Sequence, residues 1–248
     1  MNEYEAFSLI YDSVMDNYDY DRVYHWILDV VSLEASPRIL DMATGTGKLA
    51  EKLADVGTVV GFDLSEDMLV IAYERLFEKR DVQLFRMDLR DFTVPGKFDI
   101  ILCLCDGLNY LSSEDELLAS FKRVKEHIKR GGFFLFDLNT AHRFESEYGT
   151  FNEIREGEGY FLTWENAFTD PVNQYVLNIF LEDDDGTYRR YSEVHEERVF
   201  RHDRVKRLLK EAGLELVASY DGYSRRAATA TSSRICYVVR NREEKEIM

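Results

Sequence analysis

A chain of 248 residues with 45% apolar and 31% charged side chains is long enough to bury a substantial core and suits one α/β domain with an insertion. Its formal net charge of −16 repels phosphate backbones and anionic lipid, which disfavours nucleic acid and membrane surfaces as partners. No apolar run reaches about 18 residues, no basic stretch precedes an apolar one at the N-terminus, and Cys103, Cys105 and Cys236 sit in apolar runs without framework spacing, a pattern that predicts reduced, buried thiols in a cytoplasmic protein.

Residues 1–34 concentrate aromatics and acids: Tyr4, Phe7, Tyr11, Tyr18, Tyr20, Tyr24 and Trp26. From about Asp21 to Glu34 the pattern is helical, with Val23, Trp26, Ile27, Val30 and Val31 on one stripe. Arg38 to Met42 then read as a short buried strand leading through a carboxylate, Asp41. Gly45 and Gly47 let the chain turn tightly and bring bare backbone close to a ligand. Lys48 to Val56 read as a helix with Leu49, Ala50, Leu53 and Val56 on one face. A strand, a Gly-rich turn and a helix start make a site for the polar part of a nucleotide-like cofactor.

Two cofactors are open at this point. Gly45-Thr-Gly47-Lys-Leu-Ala50 fits the dinucleotide fingerprint G-x-G-x-x-G/A, which suits a nicotinamide cofactor. Asp41-x-Ala43-Thr44-Gly45-Thr-Gly47 resembles the first motif of the class I S-adenosylmethionine (SAM) dependent methyltransferases. That resemblance implies that the acid closes strand one and that the loop backbone holds the methionine end of SAM. It also turns the aromatic N-terminal segment into a lid, with Tyr11, Tyr20 and Trp26 as contacts to cofactor or substrate.

Val59 to Asp63 form the second strand, ending in an acid about 20 residues after Asp41, where a carboxylate accepts both ribose hydroxyls of either cofactor. Leu64 follows, and Ser65 caps a helix to about Lys79 with Glu66 and Asp67 in its first turn. The resemblance sets Met68 at the adenine edge. Val82 to Asp88 are the third strand. Arg86-Met87-Asp88-Leu89 resembles the methyltransferase motif whose acid bonds the adenine amino group while apolar neighbours sandwich the ring. The dinucleotide fingerprint requires no acid here, so this motif favours SAM over NAD.

Phe98 to Cys105 is a continuous apolar run, as expected of a central parallel strand buried on both faces. The family's loop after strand four borders the methyl group, which assigns Leu104, Cys105, Asp106 and Asn109 to the cofactor or acceptor. The Asn/Asp-Pro-Pro-Tyr/Phe motif of adenine- and glutamine-type enzymes is missing, an argument against that subgroup. Ser113 and Glu116 form a capping box opening a helix that ends at Arg130 before Gly131-Gly132, and Phe133 to Asp137 are the fifth strand.

The strand–helix alternation predicts a doubly wound, mostly parallel α/β sheet of seven strands, Rossmann-like. It breaks at 160–169, 174–182 and 187–200, which alternate with period two around the turns Asp170-Pro-Val-Asn173 and Asp183-Asp-Asp-Gly186. These three stretches predict an antiparallel three-stranded β insertion after strand five, without a core of its own, acting as a roof over the cofactor, a homodimer interface, or both. Trp164, His195 and Arg198 are its candidates for acceptor recognition. A helix over His202 to Ala212 carries Arg201, Arg204, Lys206, Arg207 and Lys210 as a solvated basic face. Strands near 214–220 and 235–240 close the sheet as the methyltransferase hairpin.

The resemblance covers 38–140 closely and the remainder in outline. It extends to small microbial methyltransferases of undetermined substrate and, more distantly, to deoxysugar N-methyltransferases and glycine N-methyltransferase. It implies methyl transfer from SAM to an N or O atom of a small molecule, with no metal. His195, Tyr11 and Asn109 are the candidate catalytic side chains, and His142 is a second candidate base. The alternatives are an NAD-dependent oxidoreductase and a non-catalytic SAM-binding protein.

Overall fold

The computed structural model describes residues 6–32, 35–149 and 152–242. Helices α1 (Phe7–Val14) and α2 (Tyr20–Val30) lead into β1 (Arg38–Met42), α3 (Lys48–Leu53), β2 (Thr58–Asp63), α4 (Glu66–Leu76), β3 (Val82–Arg86) and β4 (Phe98–Cys103). A 3₁₀ turn (Gly107–Tyr110), α5 (Glu114–His127), β5 (Ile128–Asn139) and α6 (Ala141–Ser146) follow. Then come β6 (Asn152–Gly157), β7 (Tyr160–Thr169), β8 (Val172–Glu182), β9 (Tyr188–Arg198), α7 (His202–Glu211), β10 (Glu215–Asp221) and β11 (Arg234–Arg240).

Seven strands form one sheet in the order β10-β11-β5-β4-β1-β2-β3. The pairs β5–β4, β4–β1, β1–β2 and β2–β3 are parallel, whereas β11 runs antiparallel to both β5 and β10. Period-two alternation divides the strands between two faces. Leu40, Met42, Phe134, Phe136 and Tyr237 pack with Phe121 of α5 and Val205, Leu208 and Leu209 of α7. Ile39, Val59, Ile100, Leu102 and Leu135 pack with Trp26 and Ile27 of α2, Leu49 and Leu53 of α3, and Ala72 and Leu76 of α4. Each fully buried Leu, Ile, Val or Phe contributes roughly 1.5–3 kcal/mol. Strand order reverses between β1 and β4, with β2 and β3 added on one side and β4 and β5 on the other, so the crevice outside their carboxyl ends is the topological switch point where such sheets bind ligands.

The insertion departs from expectation by one strand. It is a four-stranded antiparallel sheet, β6-β7-β8-β9, because Asn152–Gly157 pairs residue by residue with Tyr160–Glu165. Its apolar face (Tyr160, Leu162, Tyr175, Leu177, Ile179) gathers a separate cluster with Phe7, Ile10 and Val14 of α1 and Phe144 of α6. Several boundaries also move. Helix α2 ends at Val30, and Glu34 and Tyr4 lie outside the described residues. Helix α3 ends at Leu53 rather than Val56, and α4 at Leu76 rather than Lys79. Helix α5 stops at His127 because Ile128 already pairs with Phe98; a register shift then leads to Ile100↔Phe133. Among the described residues no helix is long and apolar enough to cross a membrane.

Candidate functional site

The carboxyl ends of β1 to β4 open into one cavity of about 950 Å³. Its floor is the loop after β1. Ala43, Gly45 and Gly47 all take left-handed backbone, at φ 54°, 55° and 79°. Gly45 faces open space, with nothing within 4 Å of a Cβ built there, so bare backbone is presented to a ligand. Gly47 is different: a Cβ would lie 3.0 Å from Leu76 Cδ1 and 3.2 Å from Ala72 Cβ, so its small size serves α3–α4 packing. Gly107 lets the loops after β1 and β4 touch, since its Cβ would stand 2.9 Å from that of Ala43.

Three carboxylates from neighbouring strands line this cavity. Asp41 is buried and accepts a hydrogen bond from Thr44 Oγ1 at 2.6 Å. Burial pushes its carboxyl up to about 7, against the Thr44 hydroxyl and with the help of the Asp63 charge. Asp63 accepts from the backbone N–H of Gly45 at 2.8 Å and of Ser65 at 2.9 Å. Burial raises its pKa against those backbone donors. Asp88 accepts from Arg90 N at 2.9 Å and Nε at 2.8 Å, and the Arg90 guanidinium holds its pKa below the usual range. Arg90 also reaches Glu116 at 3.0 Å. Leu64, Met68, Met87 and Leu89 supply apolar walls between the second and third acids. Ala43, Thr44, Gly45, Leu104 and Cys105 complete the part of the wall predicted for the cofactor.

The remaining wall comes from α1, the 3₁₀ turn and the insertion. Tyr11 and Tyr20 both line the cavity, and burial, followed by the Cys105 charge, raises both phenols far above their ordinary pKa. Helix α1 is fastened at both flanks. Asp12 accepts from Thr46 Oγ1 at 2.7 Å, stands 3.4 Å from Lys48 Nζ and pairs with Arg75. At the other end, Glu193 of β9 accepts from the N–H groups of Ala6 and Phe7 at 2.8 and 3.0 Å, satisfying two otherwise orphaned donors at the start of α1. Residues of the cavity that sequence reasoning missed are Tyr110, Ser112, Glu116, Arg90, Val172, Val194 and Glu196. The period-two rule could have found Val194 and Glu196, which share a strand face with Arg198.

Seven expected contacts are not on this wall. Trp26 is buried in the α2 core, where its Nε1 donates to the Ser224 carbonyl at 3.1 Å and its ring packs against Tyr220 and Tyr223. Gly47 is taken up by helix packing. Asp106 is drawn behind β4 and β5, 3.4 Å from Arg234 and accepting from Asn139 Nδ2 at 2.8 Å. Asn109 is wholly buried: its Nδ2 donates to the carbonyls of Asn139 (3.3 Å) and Arg198 (2.9 Å), and its Oδ1 accepts from Asn139 N at 2.9 Å. It is a staple between the two sheets. His195 lies on the buried face of β9, with Nε2 3.1 Å from the Glu193 carboxylate, while Glu196 and Arg198 share the other face. Trp164 likewise packs in the insertion core against Tyr175 and Phe7, and His142 Nδ1 is 3.1 Å from Ser146 Oγ on α6. Cys105 lines the cavity, but burial pushes its thiol up to about 12, which leaves it inert as a nucleophile.

Residues 39–132 match the family model of a methyltransferase domain. The chain is 30% identical over 237 residues to the protein named "Putative methyltransferase YqeM" of Bacillus subtilis (strain 168), covering 94% of this chain and 95% of that one. A solved SAM-dependent methyltransferase from Clostridium acetobutylicum ATCC 824 superposes with a TM-score of 0.85 at 30% identity, over 97% of this chain and 99% of that one. A shorter match, 38% identical over 95 residues, is to the dTDP-3-amino-3,6-dideoxy-alpha-D-glucopyranose N,N-dimethyltransferase of Streptomyces fradiae and spans 38% of this chain and 36% of that enzyme.

Proposed function

The chain belongs to the SAM-dependent methyltransferases, and from that premise we propose that the cavity outside β1–β4 holds SAM and passes its methyl group to a neutral amine on a small molecule. Family membership removes the nicotinamide alternative. The observation that carries the reading is that Asp41 of β1, Asp63 of β2 and Asp88, two residues beyond the end of β3 rather than within it as the sequence predicts, share one cavity above a left-handed Gly loop. In this reading Gly45 and Thr44 receive the amino-acid tail, Asp63 takes the ribose hydroxyls, and Asp88 with Met68, Met87 and Leu89 takes the adenine. Tyr11 and Tyr20 cover the cofactor and exclude water.

The sulfonium of bound SAM supplies an electrophilic methyl group. The chain's own residues then have chiefly to hold the acceptor in line, and such positioning contributes roughly 7–11 kcal/mol. A hydroxyl acceptor needs a base within about 3 Å. Among the described residues lining the cavity there is no histidine, the Tyr11 and Tyr20 phenols resist ionisation, and Asp41, Asp63 and Asp88 are taken up by the cofactor in this reading. This supports an amine, which attacks as its free base, over a hydroxyl. Residues 1–248 act in this reading as one domain, roofed by α1 and the insertion. Exposed Ile154, Tyr188 and Val194 on the edge strands β6 and β9 support a homodimer through the insertion. The free thiols fit a reducing, cytoplasmic setting. Calorimetry with SAM and S-adenosylhomocysteine tests the proposal: both are expected to bind at micromolar protein, and no heat from either overturns it.

A further inference from the structure

Three arginines line the cavity, and two are neutralised: Arg86 lies 3.0 Å from Glu66, and Arg90 is held by Asp88 and Glu116. The third, Arg198, has no carboxylate within 4.0 Å among the described residues. The nearby acids are engaged elsewhere. Glu196, two residues earlier on the same face, accepts from Gln174 Nε2 at 3.0 Å, and Glu114 of α5 is paired with Arg204 and feels the Arg198 charge only from beyond ion-pair distance. The chain has 47 acids for 31 Lys and Arg residues, so a half-buried guanidinium left without a partner is not explained by a shortage of carboxylates.

The backbone that carries Arg198 is fixed from three sides. Its carbonyl accepts from Asn109 Nδ2 at 2.9 Å, it is registered opposite Val172, and the next residue, Val199, donates its N–H to Pro171 at 2.8 Å. Asn109 is itself fastened to β5 through Asn139. The last residue of the insertion is therefore tied to the strand ends that bound the cofactor part of the cavity. A rigidly based, unpaired guanidinium at the wall of a cavity is suited to a planar, bidentate anion.

We propose that Arg198 is the specificity-determining anchor for an acceptor that carries a carboxylate or phosphate group, and that Asn109 is its positioning residue. This rests on the cofactor reading above, because the anchor selects what is presented to the methyl group. Both anion types satisfy the same fork, and the test separates them.

The protein is titrated calorimetrically with acetate, methyl phosphate and, as the uncharged control, acetamide, each with and without saturating S-adenosylhomocysteine. The expected result is saturable binding of one or both anions and none of acetamide. Arg198→Gln should weaken anion binding roughly 10- to 100-fold, the range for loss of a hydrogen bond to a charged group. Arg198→Lys keeps the charge but not the fork and should fall between. Preference for acetate assigns the carboxylate; preference for methyl phosphate assigns the phosphate. Asn109→Ala, with Arg198 retained, should weaken anion binding less than Arg198→Gln does while S-adenosylhomocysteine binding is kept, and Asn109→Asp, which keeps an acceptor for Asn139 N but loses the donor to the Arg198 carbonyl, should weaken it likewise. No saturable anion binding in either cofactor state, or equal binding by acetamide or by Arg198→Gln, overturns the proposal. Failure of S-adenosylhomocysteine itself to bind would instead fell the cofactor reading, and the anion titration without it still decides Arg198.

Discussion

Asp41 is an acid kept at the edge of ionisation by its burial, with a folded pKa of about 7 against roughly 3.9 in an unfolded chain. The folded state holds a proton that the unfolded state gives up. The stability from this group is therefore fully present below about pH 4 and is lost as pH rises through 7. Glu197, raised to about 8 by burial and then by Asp106, adds the same sign. Urea unfolding of the cofactor-free protein should give lower stability at about pH 8 than at about pH 5, and Asp41→Asn should reduce that difference. Asp63→Ala removes the proposed ribose acceptor and should weaken SAM and S-adenosylhomocysteine alike by roughly 10- to 100-fold in calorimetry. These acids were legible in the sequence because each stands where an apolar strand ends. The facing of a polar side chain was not. His195 reads as a base by type, yet strand alternation groups it with Glu193 and Glu197 on the buried face. Trp26 and Asn109 were likewise identifiable as notable but not as structural.

At the scale of elements, the segment of α1 reads as part of an aromatic lid but without a helix range of its own, because eight residues give little more than two turns of pattern. The structure shows why so short a helix persists: Glu193 caps its first N–H groups from another sheet. Glu193→Ala should cost about 0.5–2 kcal/mol, the range for a lost cap, and should raise amide exchange in residues 6–14 before the rest of the chain. Strand β6 was missed for a related reason. Asn152–Gly157 alternates exposed and half-buried residues with no strongly apolar face, so only its pairing with β7 defines it. The Gly loop was read correctly as a turn but only in part as a binding surface. Gly47→Ala should destabilise by roughly 1–3 kcal/mol through its left-handed backbone and its contact with Leu76, visible as a lower thermal midpoint even without ligand.

Across the whole molecule, the alternation of strands and helices was enough to foresee a doubly wound sheet, and the family resemblance supplied its antiparallel end. What sequence spacing could not supply was how the second sheet meets the first. That junction is made by isolated polar residues far apart in the chain: Asn109 with Arg198, and Asn139 with Glu197. A ligand that binds only the folded form should stabilise it by about 2.7 kcal/mol at a hundredfold excess over its Kd. The accompanying amide protection should reach α1 as well as the loops at 43–47 and 87–90. The double fastening of α1 has a consequence for turnover. In the proposed reading spent cofactor lies beneath Tyr11 and is expected to leave as one fastening lets go, and the one at Asp12 is ionic and solvent-accessible, so salt should loosen it. Ionic strength thereby becomes a throttle: product departs faster in brine than in dilute buffer, with affinity declining in step, and Asp12→Asn should reproduce the fast regime at any salt.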